Sequence, residues 1–161
     1  MATTGPQTPL ARYRMLAPSA SVRVSPLCLG AMTFGEVNQE RYGKITKKDA
    51  FDIMDRFYEA GGNFIDTANA YQAGQSEQWL GEWMKQRGNR DEIVLATKYT
   101  TPHMVLGDGK GRIQANYGGN GTKNMKQSIE GSLERLQTSY IDLYYVHWWG
   151  NPKATGHQLR S

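Results

Sequence analysis

The sequence predicts an α/β chain built on a parallel sheet, and three observations carry that expectation. Four short apolar runs (LCLGAM, NFIDT, EIVLATK and YIDLYYVH) alternate with segments of helical period. The runs are nearly continuous, as expected for strands buried on both faces. Strand-helix repetition of this kind is the signature of right-handed crossovers between parallel strands. The pattern leaves open whether the sheet is doubly wound or one arc of a barrel.

Taken in order, residues 1–11 read as a loose tail. YRML, the turn APSA and SVRVS then suggest a short N-terminal hairpin. A strand over 27–32 leads into the loop TFGEVNQERYGK. A helix over 47–60 follows, because Thr46 and Asp49 form a capping-box pair, Gly61 supplies a stop, and Phe51, Met54 and Tyr58 follow helical spacing. The second strand is 63–67. A helix from Ser76 to Gly88 puts Trp79, Leu80, Trp83 and Met84 on one face. The third strand spans 92–98 and is followed by a Gly-rich loop, 99–122. A helix over 123–137 carries the stripe Met125, Ile129, Leu133 and Leu136, and the fourth strand spans 140–147.

Composition narrows the function classes. A net charge of +4 and a pI near 9.2 suit a phosphorylated ligand, but Lys and Arg are scattered and form no stripe with aromatics, so nucleic acid is not an expected partner. One cysteine, Cys28, excludes an internal disulfide and fits a reducing, cytoplasmic location; within PLCLGAM it reads as an inert buried thiol. No run is long enough to cross a membrane, and the N-terminus lacks a secretory core. The first 35 residues hold Arg12, Arg14 and Arg23 and no acid, a transit-peptide composition. Val22, Val24 and Leu27 weigh against that, because they already read as folded chain. Only 28 of 161 residues are Leu, Ile, Val or Phe, so the core is expected to be marginal alone.

The Gly-rich loop is not a dinucleotide fingerprint. GDGKG lacks the third glycine, since position 112 is Arg, and no P-loop motif occurs. A mobile loop over the active face and a plain flexible insertion are the two readings. Asn120-Gly121-Thr122 matches a glycosylation acceptor, read as a chance match.

Four polar residues carry the functional expectation. Asp66, Lys98 and His147 each end a strand, and Tyr71 lies five residues past Asp66. In parallel α/β folds these ends open on one side, so the four should converge there. Each has an ordinary structural explanation alone; the set does not. Reducing a carbonyl by hydride requires a proton at the oxygen as alkoxide charge develops. Tyrosine is a poor acid near neutrality unless an ammonium favours its phenolate, the role expected of Lys98. Asp66 would orient Lys98, and His147 would position the carbonyl or share the proton. The hydride must come from a cofactor. No metal ligand set is expected.

RVSPLCLGAMTFG, NFIDTANAYQAGQSEQWLGEWM, IVLATK and YIDLYYVHWW closely resemble the N-terminal half of the aldo-keto reductases, nearest to the fungal aryl-alcohol dehydrogenases and norsolorinic acid reductase-like enzymes. The resemblance covers roughly residues 12–149, and D-T-A-x-x-Y-x-x-G-x-S-E-x-x-L-G is its most specific stretch. It implies a (β/α)8 TIM barrel, NADP(H), and a catalytic tetrad on Asp66, Tyr71, Lys98 and His147. It also implies that Thr33 and Asp66 approach the nicotinamide ribose. Trp148 either lines the substrate pocket or packs as a simple aromatic. The implied substrates are aryl aldehydes, alcohols and ketones, including polyketide intermediates of secondary metabolism.

The resemblance stops after Trp149. The polar segment 150–161 does not resemble the family, whereas a complete barrel takes about 250 residues. The expectation is therefore a truncated half-barrel of four strands and three helices, from a shortened product or a gene model misread near Gly150. The absent strands would carry most contacts to the cofactor's pyrophosphate and 2′-phosphate. The alternatives are a catalytically impaired remnant acting through protein–protein association, and a different α/β enzyme such as a phosphate-handling barrel. A half-barrel exposes two parallel edges and its inner apolar face. The isolated chain is expected to self-associate through these edges and to bind NADPH poorly. Sedimentation and NADPH titration check this, and a compact monomer binding NADPH tightly contradicts it.

Overall fold

A computed structural model of the chain describes residues 8–102, 113 and 115–149. Residues 103–112 and 114 of the Gly-rich loop and all of 150–161 lie outside the described residues, so the readings of a mobile loop and a polar tail fall there. An antiparallel hairpin comes first, β1 (Arg14–Ala17) and β2 (Ala20–Val24). Then follow β3 (Cys28–Gly30), α1 (Gln39–Tyr42), α2 (Lys47–Glu59), β4 (Phe64–Asp66), α3 (Gln75–Arg87), β5 (Val94–Tyr99), α4 (Thr122–Arg135) and β6 (Leu143–Val146).

The second sheet has the order β3-β4-β5-β6, and every pairing in it is parallel. Sequential order decides what the sequence left open. A doubly wound sheet reverses direction at a switch point, whereas strands added always on the same side keep every right-handed crossover on one face. The four strands are therefore one arc of a barrel. The helices cover its outside, and the C-terminal strand ends share one rim.

The hairpin sits at the opposite, N-terminal rim. Asn63, just before β4, accepts from Ser25 N–H through Oδ1 (2.7 Å), and its Nδ2 donates to the Arg23 carbonyl (3.0 Å). Residues 8–11, expected as tail, instead form a short 3-10 turn: Thr8 caps it and also donates to the Ala60 carbonyl at the end of α2. α1 was not expected. The capping box of α2 is present, with Thr46 Oγ1 accepting from Asp49 N–H and Asp49 accepting from Thr46 N–H.

The core lies between sheet and helices, where Ile65 and Leu95 meet Met54, Leu80, Trp83, Met84 and Leu136. α2 and α3 are also tied by Asp55, which accepts from Trp83 Nε1 (2.8 Å) and takes Arg87 in two bonds (2.8 and 2.7 Å). α4 departs from expectation. Met125 is exposed and Ile129 and Leu133 are only half-buried, while the buried face is Asn124, Ser128, Ser132 and the following Leu136. Small side chains at four-residue spacing let α4 approach its neighbours closely. At Gly81 of α3 an added Cβ would lie 2.6 Å from the Arg135 carbonyl oxygen.

Beneath that crossing sits a buried ion pair. Glu77 is wholly buried; it accepts from Thr97 Oγ1 of β5 (2.6 Å) and from Arg135 Nε of α4 (2.7 Å). Glu77→Ala would leave Arg135 without its counter-charge and should cost about 3–5 kcal/mol. Gly81→Ala should cost about 1–3 kcal/mol through the backbone clash. Urea denaturation measures both, and near-native midpoints would contradict this packing.

Candidate active site

β4 and β5 alternate side chains between their two faces, and that alternation builds the site. Thr67 and Thr97 are fully buried towards the helices, where they meet Ser76 (2.9 Å) and Glu77 (2.6 Å) of α3. Their neighbours Asp66 and Lys98 must then face the barrel interior. Asp66 stands opposite Ala96 in the ladder, so Lys98 lies two residues further along β5. That diagonal suits a long side chain: Lys98 Nζ donates to Asp66 Oδ2 at 2.6 Å and to the Thr67 carbonyl at 2.7 Å.

Tyr71 comes from the loop after β4. Its hydroxyl lies 3.3 Å from Lys98 Nζ, and the ammonium sits 4.8 Å from the centre of its ring. His147, just past β6, meets the Tyr71 ring edge-on, with centroids 5.6 Å apart and planes at 82°. The structure thus brings all four sequence-predicted polar residues together at the C-terminal rim. Burial is the main cause that pushes the His147 imidazole below its ordinary pKa, with the Lys98 charge adding to it and Asp66 opposing. Its Nδ1 is buried without a hydrogen-bond partner.

The aim of Tyr71 depends on an unusual backbone. Gln72 and Ala73 have φ of 52° and 57°, and Gly74 follows at 89°. Left-handed conformation at non-glycine residues carries strain of order 1 kcal/mol each and persists only where surroundings enforce it. Here the buried Gln72 side chain does so: Oε1 accepts from Asn38 N–H (2.8 Å) and Nε2 donates to the Met32 carbonyl (3.3 Å). Gln75 adds a bond from Glu36 N–H (2.6 Å). The loop carrying half-buried Thr33 is thereby fastened over the Tyr71 loop. At Gly35, with φ of 149°, a Cβ would strike the Gln72 side chain at 2.4 Å.

Trp148 lies flat against His147, centroids 5.1 Å apart and planes 8° from parallel, and is largely exposed. Sequence reasoning did not single out Asn69, Gln72, Thr100 or Tyr145. Asn69 is fully buried, with Nδ2 donating to the Thr101 carbonyl (3.2 Å) and Oδ1 unpartnered. Thr100 has φ of 102°, an outlier for a β-branched residue. Tyr145 pairs with Lys98 across β5 and β6, and partial burial followed by Asp66 raises its phenol pKa. Its place was legible in the period of YIDLYYVH. The others carry no signal in a single sequence. Cys28 corrects one expectation: it is exposed on the inner face, not buried in a core. Partial desolvation and nearby Asp66 push its thiol up to about 11, so it is unreactive for a different reason.

This arrangement can deliver a proton at the Tyr71 oxygen beside a fixed cation. Among the described residues there is no His, Cys, Asp and Glu cluster able to hold a metal, and no helix long and apolar enough to cross a membrane.

Known proteins carry the same pattern. The model of the aldo/keto reductase family matches residues 26–155. The chain belongs to that family. It is 65% identical over 147 residues to norsolorinic acid reductase B of Dothistroma septosporum, covering 91% of the chain and 37% of that protein. It is 54% identical over 153 residues to an aryl-alcohol dehydrogenase of Pestalotiopsis microspora, covering 92% and 38%. The fold is similar to the holo form of an aldo-keto reductase from Bacillus halodurans, with a TM-score of 0.62, 33% identity, and coverage of 82% and 38%. The chain thus spans less than half the length of these relatives, matching the four-strand arc.

The depressed His147 pKa has a consequence for stability. The unfolded imidazole, near its ordinary 6.5, takes a proton before the folded one does. Stability from this residue is complete above that value and is lost as pH falls below it towards the folded pKa. Denaturant midpoints at about pH 7.5 and about pH 5.5 should therefore fall further for the parent than for His147→Gln. Equal changes in both proteins would contradict the desolvated imidazole.

Proposed function

We propose that this chain supplies the proton-donating half of an NADP(H)-dependent oxidoreductase that interconverts an aryl aldehyde or ketone and its alcohol. The observation that carries the reading is Lys98 Nζ, fixed at 2.6 Å by Asp66 and placed 3.3 Å from the Tyr71 hydroxyl. Names of the relatives support an aromatic substrate and a setting in secondary metabolism, and the single cysteine fits the cytoplasm.

The residues present fit the nicotinamide end of the cofactor. The rim is open at Gly30, where an added Cβ would meet nothing within 4 Å, and the buried Asn69 Oδ1 is unpartnered. Thr33 and Asp66 would hold the nicotinamide ribose. When bound, the cofactor supplies the hydride that no side chain can.

The chain's own residues manage the proton. Tyr71 Oη donates to the carbonyl oxygen as charge develops there, and the Lys98 ammonium stabilises the phenolate left behind. Asp66 keeps that ammonium aimed by bonding one of its protons. His147, neutral because of its lowered pKa, orients the carbonyl without adding a competing cation. Trp148, stacked on His147 and largely exposed, offers a flat ring as a wall against which an aryl group would stack.

Tyr71→Phe should lower the rate of NADPH oxidation with benzaldehyde by about 10²–10⁴-fold while the fold is retained. Lys98→Met should do likewise. Turnover unaffected by Tyr71→Phe would overturn the mechanism.

A further inference from the structure

The loops behind the His147–Trp148 wall hold it by side-chain bonds that neither the motif nor the proposed chemistry uses. Thr100 sits at the centre. Its hydroxyl donates to Asn120 Oδ1 at 2.6 Å and accepts from His147 N–H at 3.3 Å, while its carbonyl accepts from Gly119 N–H at 2.8 Å. Asn120 Nδ2 in turn donates to the Trp148 carbonyl at 2.8 Å. Trp148 Nε1 reaches back to Thr101 Oγ1 at 3.3 Å. The backbone φ of 102° at Thr100 is what turns its hydroxyl-bearing residue into this junction.

We infer that Asn120 and Thr100 are positioning residues, a clasp that sets the His147–Trp148 pair edge-on to Tyr71 and so shapes the wall against which a planar aromatic substrate stacks. The inference deepens the reductase reading and rests on it for the identity of the substrate. Two bonds run through one carboxamide: Oδ1 takes the β5 loop and Nδ2 takes the β6 loop. The two strand ends that deliver Lys98 and His147 are thus locked at a fixed separation. The same carboxamide belongs to the sequon Asn120-Gly121-Thr122, and a glycan on Nδ2 would break the bond to Trp148. The sequon match is therefore the by-product of a positioning asparagine.

The test reads geometry before turnover. His147 in the protein should show an imidazole C2–H proton resonance shifted upfield by the stacked Trp148 indole. Asn120→Ala and Thr100→Val should both move that resonance downfield. Thr100→Ser, which keeps the hydroxyl, should hold it at the parental position, and Asn120→Asp, which keeps only the Thr100 bond, should fall between. NADPH oxidation with benzaldehyde should lose roughly 10–10²-fold in kcat/KM in the two disrupting variants, as expected for a misplaced reacting geometry. A His147 resonance unchanged in Thr100→Val, or moved as far in Thr100→Ser, overturns the inference even if Asn120→Ala fails to fold. A parent protein that oxidises no NADPH even at saturating cofactor sinks the reductase reading, while the resonances still decide the clasp.

Discussion

The first turn of α3 fixes everything at the rim. Ser76 donates to the Ala31 carbonyl (2.7 Å) at the end of β3 and bonds Thr67 after β4, while Glu77 takes Thr97 of β5 and Arg135 of α4. Five segments meet at two adjacent side chains. A wholly buried carboxylate would be prohibitive if any of its bonds were missing, so the pairing enforces the alignment of every segment it touches. Because Thr67 and Thr97 are held outward, the residues before and after them, Asp66 and Lys98, are held inward. The candidate proton donor machinery is the reverse side of a structural ion pair.

The interior face carries charge where a sheet core would normally be apolar. Lys98 and Asp66 satisfy each other at 2.6 Å, and the Thr67 carbonyl takes a further ammonium proton. The ring of Tyr71 covers the ammonium from one side, an arrangement that cations favour over aromatic faces. Burial lowers the His147 pKa, with the Lys98 charge adding to it and Asp66 opposing.

Much of this was legible in the sequence because strands and helices differ in period. NFIDT and EIVLATK each end within one residue of the ends of β4 and β5, and the stripe Trp79, Leu80, Trp83 and Met84 is buried as the spacing requires. The choice between barrel and doubly wound sheet was not legible by period, since strand order is a tertiary property; it came from the resemblance and then from the observed pairing. The face of α4 misled because apolar spacing ranks Met125 above Ser128, whereas close approach to α3 at Gly81 rewards small residues. Gln72, Thr100 and Asn120 act through left-handed backbone and long-range carboxamide bonds, which leave no periodic trace. Cys28 misled because an apolar neighbourhood in sequence does not distinguish a core from the inside wall of a barrel.

The strictly sequential strand order also bears on how the molecule is made. Each parallel strand pairs with the one synthesised just before it, so a strand emerging from the ribosome always meets a finished edge. β3 accepts β4 once α2 has folded back, and the same move repeats for β5 and β6. Within this arc β4, β5 and β6 each meet a partner already made, and on the early side only the outer edge of β3 is left open. The sheet grows by accretion from the N-terminus, and the rim residues fall into place one strand at a time.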